Sequence, residues 1–186
     1  MALPSYQLNP SNRTAREVAR FFVPQAEMNP EYQRDHVWTT EQRIELVKSW
    51  IMGVPVGAVV INDRTGAAWR ESTGIDVYET GKLWAVVDGK QRIETARMWF
   101  EGELRVPRAW FDEDEIDALG SPSGMVSYRG LSEVTRRLQG NRFQLPVVEA
   151  RLPSPQEEAQ LFLLLNGGGT AQTPEVMERA RKLAGR

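Results

Sequence analysis

The sequence predicts a single compact α/β (α+β) domain in which helices flank a small mixed sheet. Short apolar runs bounded by polar or turn residues, at 57–61, 83–87 and 143–150, read as buried strands. Between them, residues 39–51 and 90–101 carry apolar side chains at three- and four-residue spacing, the pattern of amphipathic helices. The two kinds of segment alternate irregularly, without an internal repeat or a low-complexity linker, which favours a small mixed sheet.

Composition narrows the chemistry. At 186 residues, 41% hydrophobic and 26% charged, the chain has the balance of one globular domain. It has no cysteine, so disulfides and thiolate zinc sites are excluded. Its single histidine, His36, excludes a two-histidine metal site within one chain and the usual His-metal nuclease centre. No apolar run approaches the length of a membrane span and no signal-peptide pattern opens the chain, so a cytoplasmic protein with no membrane partner is expected. A net charge of −2 argues mildly against a dedicated non-specific nucleic-acid binder but leaves room for a local basic patch.

Taken in order, residues 1–13 read as an arm or an edge strand. Thr14 caps a helix running to Phe22, with Val18, Phe21 and Phe22 inward, and Pro24 stops it. Asn29-Pro30 opens an extended or turning segment that carries Gln33 and Arg34 in a loop. His36 reads as a surface or packing residue, and Trp38 as a core anchor. Thr39 and Gln42 form a capping box for a helix that buries Ile44, Val47, Ile51 and Trp50, with Gly53 just past its end. Residues 62–82 read as a variable loop or hairpin, with Asp76, Val77 and Tyr78 starting a partner for the 83–87 strand and Trp69 exposed. A short strand is expected at 106–111. The run Asp112, Glu113, Asp114, Glu115 reads as the first turn of a helix, where negative charge is favoured, in preference to a metal site. Residues 131–138 form a short helix, and Arg136, Arg137 and Arg142 read as a solvated face. Ser154, Pro155 and Glu157 start a helix to residue 165, and Thr173 caps a last helix to about residue 183.

The stretch Asp88-Gly89-Lys90-Gln91-Arg92 joins the 83–87 strand to the 90–101 helix in a tight turn. A helix N-terminus favours an anion through its N–H groups and dipole. Arg92 lies within the first turn, and Asp88 at the strand end suits a metal or a positioned water. On local sequence alone, Asp88 is equally an ordinary N-cap. Asn166 is followed by Gly167, Gly168 and Gly169, more glycine than a helix cap needs, and glycines let backbone N–H groups approach phosphates.

These motifs occur in a recognisable order: Pro30-Glu31-Tyr32-Gln33-Arg34, Val37-Trp38, Glu41-Gln42, Ser49 in its helix, Gly53-Val54-Pro55, the Asp88 turn, then Asn166-Gly167-Gly168-Gly169-Thr170. The set resembles the N-terminal domain of the GmrSD type IV restriction endonucleases, of the ParB/sulfiredoxin-like superfamily, here in stand-alone form without the C-terminal nuclease domain. The resemblance implies a ParB-like nucleotide-handling domain that binds a nucleoside triphosphate with Mg²⁺ and hydrolyses it as an NTPase. In that reading Asp88, Arg92 and Arg34 are catalytic, with Asp88 as the metal ligand. Gln33, Arg34, Gly89, Lys90, Gln91, Arg92, Asn166, Gly167, Gly168 and Gly169 bind nucleotide and phosphate. Lys90 stands where the family's Asp-Gly-Gln-Gln-Arg motif has Gln, which favours phosphate binding over turnover. As the alternative, the resemblance admits a DNA-binding or regulatory module of a phage or restriction-modification defence system, using Arg129, Arg136, Arg137 and Arg142. A partner nuclease and self-association are its other expected contacts, and direct ParB-like nuclease activity ranks last.

Overall fold

The computed structural model describes residues 6–32, 38–117, 124–167 and 174–185. In chain order the elements are β1 (Leu8–Ser11), α1 (Ala15–Glu17), β2 (Ala26–Glu27), α2 (Thr40–Ile51), β3 (Val59–Asp63), α3 (Ala67–Thr73), α4 (Val77–Thr80), β4 (Trp84–Asp88), α5 (Lys90–Glu101), β5 (Arg105–Pro107), β6 (Met125–Ser127), α6 (Glu133–Arg142), β7 (Val147–Ala150), α7 (Pro155–Gly167) and α8 (Pro174–Leu183). Five strands form a mixed sheet in the order β1-β7-β3-β4-β2. The central pair β3–β4 is antiparallel, β3–β7 and β4–β2 are parallel, and β1 closes the far edge antiparallel to β7. Strands β5 and β6 make a separate antiparallel ribbon.

Side chains alternate across a strand, so each central strand feeds both faces. Val59, Ile61 and Val86 point into a large apolar cluster with Val47 and Trp50 of α2 and Ile93 and Trp99 of α5. Val60 and Val87 point the other way, into a second cluster with Tyr32, Phe162 of α7 and Ala180 of α8. The sheet is thus covered on both faces, as the α/β composition predicts. Among the described residues no helix is long and apolar enough to cross a membrane.

Several local expectations hold. Thr39 and Gln42 form the reciprocal capping box of α2, and Gly53 has a left-handed φ of 71° just beyond its end. Thr14 caps α1 by accepting from the Glu17 amide at 3.1 Å. Asp112 and Glu115 do form a capping box, but the helix expected there stops after a single tight turn, with Ile116 already extended.

Others are corrected. After Glu17 the helix widens into a π-turn over Val18–Phe22. That turn buries Val18 and Phe22, four apart, and leaves Phe21 64% exposed. In α2 the buried face is Arg43, Leu46, Val47 and Trp50, while Ile44 and Ile51 are only partly covered. The 57–61 and 83–87 strands lie at Val59–Asp63 and Trp84–Asp88, and the 106–111 strand is Arg105–Pro107 followed by a tight turn. The 62–82 segment holds no hairpin. Asp76 caps α4 by accepting from the Tyr78 amide, and β4 already has β3 and β2 on its two sides.

Trp69, expected at the surface, is 2% exposed. The Arg64 guanidinium lies over its ring, 4.4 Å from the centroid. The same guanidinium donates from Nε (2.8 Å) and Nη2 (2.6 Å) to the two oxygens of Glu158, which is fully buried on α7. Asn62 Nδ2 donates to Glu158 at 2.7 Å, and Tyr32 Oη donates to it at 3.3 Å. Asn62 also brackets the Leu152 backbone, accepting from its N–H at 2.7 Å and donating to its carbonyl at 3.2 Å. A buried carboxylate is tolerated only when its lone pairs are satisfied. Here four donors from three residues meet that demand, and they tie β3, α7 and the segment before Gln33 together.

Burial, reinforced by the Glu158 charge, holds the Tyr32 phenol well above its usual value of 10.0. A group whose folded pKa is raised contributes stability below its unfolded pKa and loses it as pH climbs through the folded value. Native stability measured by urea unfolding is therefore expected to fall as pH rises above about 10, and Tyr32→Phe should remove that part of the fall. A Tyr32→Phe profile superimposable on wild type would show that the phenol does not contribute.

Candidate functional site

The Asp88 turn is built by a defect in the central ladder. Ile61 of β3 is opposite Val86, but Val60 is opposite Asp88, so Val87 is an extra residue in β4. A bulge of this kind bends its strand and re-aims the next side chain. Gly89 follows with φ 89° and serves as the N-cap of α5, the position that Asp88 was equally suited to fill. A Cβ at Gly89 would lie 2.5 Å from Val59 Cγ1 and 3.0 Å from the Val59 Cα. Glycine is thus required twice, for the left-handed backbone and for the contact with β3. Having no side chain, Gly89 supplies no cap to α5.

Asp88 and Arg92 meet across the turn. Arg92 Nη2 donates to Asp88 Oδ2 at 2.9 Å and to the Ala58 carbonyl at 2.8 Å, with the two side chains 22% and 33% exposed. Gly57 lies beside this guanidinium, where a Cβ would sit at ordinary contact distance, 3.5 Å. Arg92 therefore pins the start of β3 to the turn. Its Nε is buried without an acceptor among the described residues. Asp88 Oδ1 takes no part in the pair, which leaves that oxygen for a ligand.

The neighbouring motif residues brace the turn. Gln91 Oε1 accepts from the Trp38 amide at 3.0 Å and from Arg43 Nη2 at 2.9 Å. Arg43, 6% exposed on α2, also donates to Thr95 Oγ1 at 3.1 Å and to Glu94 Oε2 at 3.3 Å. Lys90 donates to Asn29 Oδ1 and lies 3.9 Å from Glu94 Oε1. Both residues thereby fasten α5 to the chain on either side of residues 33–37. Ser49, another of the motif positions, donates back to the Glu45 carbonyl of its own helix at 3.0 Å.

The glycine-rich motif starts later than its sequence suggests. Helix α7 continues through Gly167, so Asn166 and Gly167 are helical and not part of a loop. Asn166 Nδ2 donates to the Phe162 carbonyl at 2.8 Å. Gln33, Arg34, Gly168 and Gly169 lie outside the described residues. Their neighbours do converge: Tyr32, which precedes Gln33, packs on Phe162, one turn before Asn166, with ring centroids 5.5 Å apart. Val87, next to Asp88, belongs to the same apolar cluster. Asp88, Gly89 and Arg92 thus form one geometric unit, and the segments leading to the other two motifs start beside it.

Of the residues that sequence reasoning missed, Arg43, Asn62, Arg64 and Glu158 matter most here. Each reads as a surface or strand-end polar residue until tertiary partners are known.

A two-faced mixed sheet whose bulged central strand delivers an acid–arginine pair to a helix start defines an α/β domain with a turn-borne site. Residues 18–161 match the model of the family described as GmrSD restriction endonuclease, N-terminal domain. The chain belongs to that family. No match was found among curated proteins or solved structures.

Gly89→Ala is expected to destabilise the fold by about 2–4 kcal/mol, through overpacking against Val59 and a disfavoured backbone conformation. Denaturant unfolding measures this directly. A loss below about 0.5 kcal/mol would mean that the β3–turn contact is easily relaxed.

Proposed function

We propose that this domain binds a nucleoside triphosphate with Mg²⁺ at the Asp88 turn and hydrolyses it, as the regulatory part of a restriction system. The observation that carries the reading is the Asp88–Arg92 pair held at the start of α5 by the Gly89–Val59 contact. A helix start that its cap residue leaves without a side-chain acceptor is a favourable place for a phosphate. Arg92 brings a planar, permanently charged group to the same turn, and Lys90 adds a second cation at the first helical position. The convergence of the Tyr32 and Phe162 segments supports a ligand contacted also by Gln33, Arg34 and the glycines after Asn166.

Among the described residues no three histidine, aspartate or glutamate side chains cluster as a protein-built cation cage. Mg²⁺ bound with a nucleotide needs fewer, since it takes one or two carboxylates and completes its shell with phosphate oxygens and water. Asp88 fits that role through Oδ1. When bound, the ion would offset phosphate charge. The chain's own residues orient and hold: Arg92 fixes Asp88, Gln91 and Arg43 fix the helix, and Lys90 fixes the segment before Gln33. Membership of a restriction-endonuclease family supports a nuclease partner that reads the nucleotide state of this domain.

Phosphate release measured with ATP, GTP, CTP and UTP in Mg²⁺ tests the proposal. Wild type is expected to turn over at least one of them, and Asp88→Ala to reduce that rate by about 100-fold with the fold intact by circular dichroism. Unchanged turnover in a folded Asp88→Ala protein would remove the turn from the chemistry.

A further inference from the structure

At the opposite end of α5 from the Asp88 turn lies an open groove of about 650 Å³, lined by Arg16, Arg20, Arg97, Arg129, Arg136 and Arg137. Only two carboxylates, Glu101 and Glu133, line it with them, in a chain whose net charge is −2. Arg97 is neutralised by Glu101 and by Glu103 at 3.1 Å, and Arg137 by Glu133 at 2.8 Å. Arg16, Arg20, Arg129 and Arg136 make no salt bridge among the described residues, although Arg129 acts on the Glu103 carboxylate at longer range. Four guanidinium groups without a salt bridge, from three parts of the chain, share one concavity, where like charges repel unless an anion joins them.

The groove is seated by specific packing. Arg16 lies against Gly140 in the middle of α6, where a Cβ would fall 2.7 Å from its Nη1. Arg129 lies against Gly102, where a Cβ would fall 2.9 Å from its Cγ. Arg136 Nη1 donates to the Arg129 carbonyl at 3.0 Å, and Tyr128 Oη donates to the Arg136 carbonyl at 2.8 Å. Tyr128 and Phe100 meet edge to face, 5.0 Å between centroids, and give the groove aromatic surface.

We infer that this groove binds the phosphodiester backbone of a nucleic acid, at a site separate from the Asp88 turn. The lining cations are all arginines, whose planar forks match phosphate oxygens and position a backbone without reading its sequence. Their spread over α1, the π-turn, the Tyr128–Gly130 turn and α6 suits several phosphates in a row better than one. Aromatic surface beside them suits sugar or base contact. Along α5 the groove begins at Arg97, five residues and so about 8 Å beyond Arg92 of the turn. The inference does not rest on nucleotide binding at the turn.

The test is fluorescence anisotropy with labelled single-stranded and duplex DNA and with RNA of about 20 nucleotides, titrated from about 50 to about 200 mM salt. Wild type is compared with Arg20→Gln/Arg129→Gln and with Arg151→Gln, which removes an exposed arginine outside the groove. Binding by wild type and by Arg151→Gln is expected at low salt. The double variant should bind about tenfold or more weakly, with a salt slope lower by about 2. Comparison of the three probes identifies the strand type. Absence of binding at low salt, or equal binding by the double variant, would overturn the inference. Displacement of the nucleic acid by polyglutamate at equal charge concentration would overturn it too, in favour of an acidic protein partner. Thermal unfolding of the double variant checks the fold. Its nucleotide binding should equal that of wild type, so failure here and failure at the Asp88 turn are told apart.

Discussion

The approach of Gly89 to Val59 is the constraint on which the rest of the candidate site depends. It fixes the distance between β3 and the helix that leaves β4, and no side chain fits between them. The extra residue in β4 bends the strand at the same place. Once the backbone is held so closely, Arg92 can reach both Asp88 and the Ala58 carbonyl without leaving its helix. A loop longer by one residue would let the pair separate. The chemistry proposed for the turn is a consequence of this packing, because an acid and an arginine four residues apart on a free helix would exchange partners with water.

A second constraint acts on the other face of the sheet. Glu158 is a full charge with no exposure, and it is accommodated because Arg64, Asn62 and Tyr32 surround it. Removing any one of these would leave the others partly unsatisfied, which is why buried networks behave as a unit. The network also explains two features that otherwise look unrelated: the burial of Trp69 under Arg64 and the position of the chain just before Gln33. Together the Gly89 contact and the Glu158 network fix the two routes by which motif residues reach the site.

How much of this was legible in the sequence follows from how local each feature is. The limits of α5, the tight turn before it and the Thr39–Gln42 capping box depend on neighbours within four residues, and all three could be read directly. Phe21 was misplaced because the π-turn shifts the helical phase by a residue, which a 3.6-residue period does not anticipate. Trp69 was misplaced because its cover, Arg64, acts only after a helix has formed between two strands. Glu158 resembles an acid stabilising a helix start, and Arg43 resembles a solvated position on α2. Nothing within their own segments marks either as interior. At the site, the sequence places Asp88 and Arg92 on one turn, but their pairing, like the bracing roles of Gln91 and Lys90, depends on how the turn packs against β3, α2 and Asn29.

The outer strands have a further consequence. Strand β2 is only two residues long, and β1 carries Pro10 within its four. A sheet with such edges gives an incoming strand little backbone to pair with, since a two-residue rim is too short and a proline removes a donor. Copies of this domain at high local concentration, as in a crowded assembly on a larger target, are thereby protected from zippering into a continuous ladder. Contacts made through the helical surfaces covering this sheet, by contrast, have a geometry set by side chains and can be tuned one residue at a time.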